Sequence, residues 1–279
     1  MELLQNILRI LDTEMERPEP YGWFHLLFFA LSFVAAALLC ASRKNAEPDR
    51  VRKVVLWTSI IVAVLEVYKQ INYSFSYTNG IEFDFQWYAF PWQFCSTPMY
   101  VGLLTGLFRK GKVHDALCAY LATYAVFAGL CVMFYPVDIY IRTIGINLQT
   151  SICHGSMITI GIYLFWSGYV KLEHKTILKA IPVFACAVGI AMLLNEIAYR
   201  SGLLESEVFN MFFISPYCDP SLPVYSLVQN LIPFPWCLVI YIAAFSLAAY
   251  LILLLAMGIG YLVRAHRPRK QLAKEHASV

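Results

Sequence analysis

Charge is the scarcest commodity in this 279-residue sequence: 14% of its residues are charged and 59% are hydrophobic. A water-soluble domain carries roughly a quarter charged residues, so the shortage excludes a water-facing surface over most of the chain and sets it against lipid. The net charge is only +3, and the basic residues fall in short, separate clusters. None could track a duplex, which excludes nucleic acid as a partner. The eight cysteines include no CxxC pair and no Cys/His spacing of the metal-binding kind, so neither a metal nor another cofactor is expected. Cys40, Cys95, Cys118, Cys131, Cys153, Cys186 and Cys237 lie in or beside apolar runs, where free cysteine packs as a small hydrophobe. Cys218 alone falls in a polar loop. The first twenty residues, with Glu2, Asp12, Glu14, Glu16 and Glu19, lack the basic-then-apolar layout of a signal peptide. The first apolar run is therefore expected to direct insertion. There is no internal repeat and no low-complexity stretch.

What the sequence has is long apolar runs. A helix needs about 20 apolar residues to cross the hydrocarbon, and seven segments qualify: Trp23–Ala41, Val54–Asn72, Pro91–Phe108, Asp115–Tyr135, Leu148–Tyr169, Ile177–Tyr199 and Trp236–Val263. The third is the most interrupted, by Pro91, Gln93 and Pro98. The positive-inside rule orients them. Arg43, Lys44, Arg50, Arg52 and Lys53 follow the first run, and Arg109, Lys110 and Lys112 the third. Lys171, Lys175 and Lys179 follow the fifth, and Arg264, Arg267, Arg269, Lys270 and Lys274 the last. These are sixteen of the 21 Lys and Arg. The sequence thus predicts an all-α, polytopic membrane protein: a seven-helix bundle with its N-terminus outside and its C-terminus in the cytoplasm. Its expected parts are an extracellular segment 1–22, a transmembrane domain 23–263 and a basic tail 264–279. The longest outer connections, Asn72 to Phe90 and Arg200 to Pro235, are rich in aromatic residues or proline. Such long connections tend to be functional.

Ionisable groups inside a membrane are costly and point at function. At about 1.5 Å per residue, Cys95 lies roughly 20 Å from the cytoplasmic end of its run and His154 roughly 22 Å from the end of its own. Glu66 and Lys69 lie at similar heights, with Asn195 and Glu196 slightly higher. One shared cavity opening outward explains the common depth. Each group also has a structural reading: Glu66 and Lys69 pair on one helical face, His154 bonds between helices, Cys95 fills space and His25 sits at the interface. A cysteine and a histidine at one level can form a nucleophile–base pair that takes an acyl group from an ester as a thioester. Lys69, Gln93 or Asn195 would then stabilise the oxyanion, and Glu66 or Glu196 would orient His154.

Several strings sharpen this reading: Pro91-Trp-Gln-Phe-Cys95, then His154 followed by Ile162-Tyr-Leu-Phe-Trp166, then Phe209-Asn-Met-Phe-Phe-Ile-Ser-Pro-Tyr-Cys-Asp-Pro-Ser221, then Pro233-Phe-Pro-Trp236. In this order they resemble the YwaF-like bacterial integral membrane proteins, which are related to the eukaryotic transmembrane protein 164 acyltransferases. The resemblance covers nearly the whole chain. It implies seven helices in a bacterial cytoplasmic membrane and a cysteine carrier that moves fatty acyl chains between phospholipids. By that resemblance Cys95 is the nucleophile, His154 its partner, Glu66 and Lys69 an acid–base pair, and Asn210 and Asp219 supporting residues. Bacterial relatives often place a histidine where Gln93 stands, and the sixth-span histidine of the eukaryotic enzymes is replaced by the neighbourhood of Asn195 and Glu196.

The competing reading is a transporter or lipid-binding protein that uses the same outer-half cavity without chemistry. A retinal-type pigment is disfavoured, because Trp236 to Val263 contains no lysine for a Schiff base. Membrane phospholipids or other acyl lipids are the expected partners; on the competing reading Glu66, Lys69 and His154 would bind a charged ligand. The sequence leaves donor, acceptor and oligomeric state open.

Overall fold

In hydrocarbon every backbone N–H and C=O must be satisfied within the protein, so runs this apolar fold as helices. The computed structural model describes residues 2–76, 80–204, 207–219, 226–227, 231–234 and 236–265. Its helices are α1 (Glu2–Leu11), α2 (Trp23–Cys40), α3 (Pro48–Asn72), α4 (Thr97–Leu107), α5 (Lys112–Ala122), α6 (Tyr124–Phe134), α7 (Ile144–Trp166), α8 (Lys175–Ser201) and α9 (Trp236–Ala265). A two-stranded antiparallel ribbon pairs Phe75 with Phe83 after α3. Past residue 265 the expected basic tail lies outside the described residues, as do Pro220, Pro223 and Pro235.

Five helical stretches are long and apolar enough to cross a membrane: α2, α3, α5 with α6, α8 and α9. The other two expected spans differ for identifiable reasons. Helix α7 is 23 residues long but carries Asn147, Gln149 and His154 among its buried residues. It packs against α2, α3, α5 and α6, so its polar groups meet protein rather than lipid. Helix α4 has only 11 residues, about 16 Å, or half the hydrocarbon thickness. The expected helix over Pro91–Phe108 is therefore corrected: residues 91–96 are irregular and only the rest is helical. Non-helical backbone at membrane depth is tolerated where protein surrounds it, and here it is pinned on several sides. Trp92 Nε1 donates to the Ala187 carbonyl of α8 at 3.2 Å, and the Tyr100 hydroxyl to the Pro91 carbonyl at 3.0 Å.

The expected fourth span bends at Thr123, between α5 and α6. Its hydroxyl bonds back to the Ala119 carbonyl at 2.7 Å, the side-chain insertion that commonly breaks the helical ladder. Helices α2 and α9 present Leu27, Leu31, Leu251 and Leu255 outward, as lipid-facing helices do.

The N-terminal segment closes one end of this bundle. Met15 N–H donates to the Arg142 carbonyl at 2.6 Å and Ile144 N–H to the Thr13 carbonyl at 3.0 Å. The Tyr68 hydroxyl at the end of α3 donates to the Leu11 carbonyl at 2.6 Å. His25 is structural: its Nδ1 accepts from Tyr21 N–H, so Nε2 donates to the Met133 carbonyl at 2.9 Å and joins α2 to α6.

Candidate functional site

Helix α3 gathers Glu66, Lys69 and Gln70 within about one turn near that closed end. Glu66, 6% exposed, receives Lys69 Nζ at 2.7 Å and the Gln70 amide at 2.8 Å. Its second oxygen accepts from Gln149 of α7 at 3.1 Å. A buried carboxylate is tolerable only when paired and hydrogen-bonded, and these three donors meet that condition. Gln149 is not singled out by the sequence reading; an amide within an apolar run five residues before His154 was the available signal.

One and a half turns along α7 stands His154, 7% exposed. Its Nδ1 lies 2.8 Å from the Thr150 carbonyl. A carbonyl can only accept, so the proton is on Nδ1 and Nε2 offers a bare lone pair. That Nε2 is buried and has no hydrogen-bond partner among the described residues. The neighbouring helices come very close at this level. A Cβ on Gly129 of α6 would lie 2.7 Å from the His154 carbonyl oxygen, and one on Gly155 would lie 2.5 Å from the Ser32 hydroxyl of α2.

Cys95 lies near the end of the irregular stretch, two residues before α4 begins. The Cys153 thiol of α7 donates to the Cys95 carbonyl at 3.8 Å, which ties this turn to the residue beside His154. Gln149 of α7 holds Glu66, and Cys153 of the same helix, next to His154, holds the Cys95 carbonyl. The four sequence-selected groups therefore form one neighbourhood. Cys95 and His154 are not in hydrogen-bond contact, however, since Nε2 has no partner among the described residues. The positive end of the α4 dipole also faces this point, where negative charge would be favoured.

On its other side Cys95 meets a large cavity of about 1220 Å³. The walls come from α6, α8, α9 and residues 202–204 and 207–219, with Phe94 and Gln93 beside the cysteine. Beneath it, Phe94 packs against Phe184, Phe212 and Phe245 at ring separations of 5.4, 5.8 and 5.4 Å. This aromatic plug fills the bundle centre. Neither Glu66, Lys69 nor His154 lines the cavity among the described residues. Cys95 thus stands at the boundary between a polar cluster and an apolar chamber.

Gln93 and Asn195 turn out to be clasps. Asn195 donates to the Met211 carbonyl at 3.1 Å and accepts from Met211 N–H at 2.8 Å. Gln93 donates to the Asn210 carbonyl at 3.1 Å and accepts from Phe212 N–H at 3.0 Å. Asn210 in turn accepts from Ser215 N–H through its side chain at 2.9 Å. The clamped loop holds Phe212 and Phe213 at φ of 59° and 57°, a left-handed geometry that costs a non-glycine residue about 1–2 kcal/mol. Such backbone persists where the surroundings over-determine it. Because these amides are committed to the loop, Lys69 is the remaining oxyanion donor of the three considered.

Glu196 does not join the cluster. It follows Asn195 by about 100° around the helix, so only one of the two faces inward. Its carboxylate pairs with Arg200 and accepts from the Tyr217 hydroxyl at 2.5 Å on the outer flank, which raises the Tyr217 hydroxyl above its ordinary pKa. Asp219 is exposed and borders the cavity.

Apolar helices around a polar interior and a lipid-sized chamber define an integral membrane protein. The TMEM164 family model matches residues 20–256, and the chain belongs to that family. No curated protein and no solved structure matches it.

Proposed function

We propose that this protein is a seven-pass membrane acyltransferase, or lipid ester hydrolase, that carries its acyl group on Cys95. The N-terminus lies outside and the C-terminus in the cytoplasm, as the basic loops require, and the site opens to the outer leaflet of a bacterial cytoplasmic membrane. The observation that carries the reading is the position of Cys95 on the wall of an apolar cavity of about 1220 Å³, backed by a cation and a base-ready histidine. Membership of the TMEM164 family is consistent with an acyltransferase-like role.

The chemistry runs in two halves. His154 Nε2 accepts the Cys95 proton, through one bridging hydroxyl or after side-chain rotation, and the sulfur attacks an ester carbonyl of a phospholipid. Lys69 and the α4 N-terminus stabilise the oxyanion. As the C–O bond breaks, His154 returns the proton to the departing lysophospholipid oxygen, leaving a thioester on Cys95. A second hydroxyl, from an acceptor lipid or water, then loses its proton to His154 and attacks the thioester; the C–S bond breaks, the acyl group leaves on that oxygen, and His154 returns the proton to the Cys95 sulfur. Apo structures often leave such pairs loose until substrate arrives.

To test it, reconstitute the protein with phosphatidylcholine carrying a labelled acyl chain and an unlabelled lysophospholipid, and follow the label. The expected result is label in the new diacyl lipid or in free fatty acid, lost in Cys95→Ala and in His154→Ala. Label movement unaffected by Cys95→Ala would overturn the reading. A lipid-binding protein without chemistry would retain lipid in both variants and move no label. A transport route is less well supported, because the aromatic plug fills the bundle centre below the cavity.

A further inference from the structure

The cavity has two unlike ends. Glu207 and Asp219 are the charged residues among its described lining, and they bound the described stretch 207–219. The contribution from α6 is Phe127, Ala128, Cys131 and Val132, and from α9 Tyr241 and Phe245, with no charge among them. Phe127 and Phe245 meet edge to face at 5.9 Å and close the α6–α9 seam toward the bundle centre. One turn further along α6, Cys131 is a small residue where Phe127 is a large one, while Tyr241 of α9 turns its hydroxyl to the Phe212 carbonyl at 3.0 Å. Cys131 lines the cavity and is itself accessible, as a small residue at an open edge of the chamber is. The aromatic plug around Phe94 bars a long ligand from continuing along the bundle axis.

We infer that a lipid acyl chain occupies this chamber and passes sideways into the bilayer between α6 and α9, with Cys131 on the lip of the portal. The polar part of the same molecule stays at the mouth formed by residues 207–219. An amphiphile with a polar head and a long apolar tail matches both ends, and the bilayer that bathes α6 and α9 supplies the tail directly. The direction of the chain is independent of catalysis; its bearing on turnover rests on the acyl-transfer reading above.

The test uses full-length protein in liposomes doped with phosphatidylcholine that carries a diazirine halfway along one acyl chain, in a Cys95→Ala background so that no chemistry intervenes. Photolysis should place the label on peptides from Tyr124–Phe134 and from the first three turns of α9. Labels confined to other helices would overturn the inference. In the otherwise native protein, Cys131→Trp should lower turnover of long-chain donors by about tenfold, the order of effect a filled apolar pocket gives, and spare a short-chain ester. Because a tryptophan here can disturb folding in its own right, a second arm treats folded Cys95→Ala protein with a bulky maleimide, which should lower photolabelling of the α6 and α9 peptides and have no such effect once Cys131→Ser is added. An equal loss in both would count against the portal. If the label lands on α6 and α9 but no acyl group moves, the enzymatic reading fails and the portal stands. Turnover with no label on those two helices leaves the enzyme standing and removes the portal.

Discussion

Lys69 stands 2.7 Å from Glu66, three residues away on the same face of α3, and the carboxylate it meets is also held by Gln70 and by Gln149 of α7. The pair therefore ties two helices together beside Cys95, and its cation is held near the place where an oxyanion would form. Structural and chemical roles coincide in it, and they can be separated.

Removing one partner strands the other in a low-dielectric interior, at a cost of about 3–5 kcal/mol. Glu66→Ala should therefore lower thermal stability in detergent markedly. The double variant Glu66→Gln with Lys69→Met removes both charges and should recover most of that stability. On the proposed mechanism it should stay inactive; recovery of turnover together with stability would show the pair to be structural only.

His154 gives the opposite pattern. Its Nε2 is unpartnered among the described residues and only Nδ1 is bonded, so an apolar residue of similar size forfeits one hydrogen bond and relieves one buried orphan. His154→Leu should change stability by about 1 kcal/mol or less while cutting turnover by about 10²–10⁴. Unfolding curves and initial rates measured on the same preparation separate the two effects. A folded His154→Leu protein with native rates would remove the general base from the scheme.

Close packing of α6 on α7 fixes where that histidine sits. A methyl on Gly129 would press within 2.7 Å of the His154 carbonyl oxygen, against backbone that cannot swing aside. Gly129→Ala should cost about 1–3 kcal/mol and reduce the rate although residue 129 touches no substrate. An unchanged melting temperature would mean that the two helices are less tightly packed than this distance requires.

Loss of the Asn195 clasp frees the Met211 backbone on both sides. Leaving those buried groups unsatisfied costs about 1–3 kcal/mol each, and the left-handed Phe212 and Phe213 lose one of their restraints. Limited proteolysis of Asn195→Ala in liposomes should cut within residues 207–219 faster than in the native protein. Equal cutting would place the restraint elsewhere, with Gln93 the next candidate.

The sequence was informative wherever lipid dictated composition. Apolar run lengths located α2, α8 and α9 within a few residues and placed the start of α3 six residues late, and the depth of Glu66 and Lys69 on one run, Cys95 on another and His154 on a third suggested one neighbourhood. It was less informative where protein replaces lipid as the solvent. Hydropathy cannot tell a half-length helix such as α4 from a full crossing, because Pro91–Ser96 is apolar enough to look embedded and is in fact held by Trp92, Gln93 and Tyr100. The roles of Gln93 and Asn195 were hidden for a related reason. Their partners are backbone groups more than a dozen residues away, and no side-chain pattern records such a pairing. Glu196 was misplaced because depth was counted and the turn of the helix was not.

Intact and peptide mass spectrometry of the protein after incubation with phosphatidylcholine tests the central claim most directly. The account predicts a mass increase of one fatty acyl group on the peptide holding Cys95, removed by neutral hydroxylamine and missing in Cys95→Ser. An acyl group carried on a different residue, or none on protein that demonstrably moves acyl chains, would contradict it.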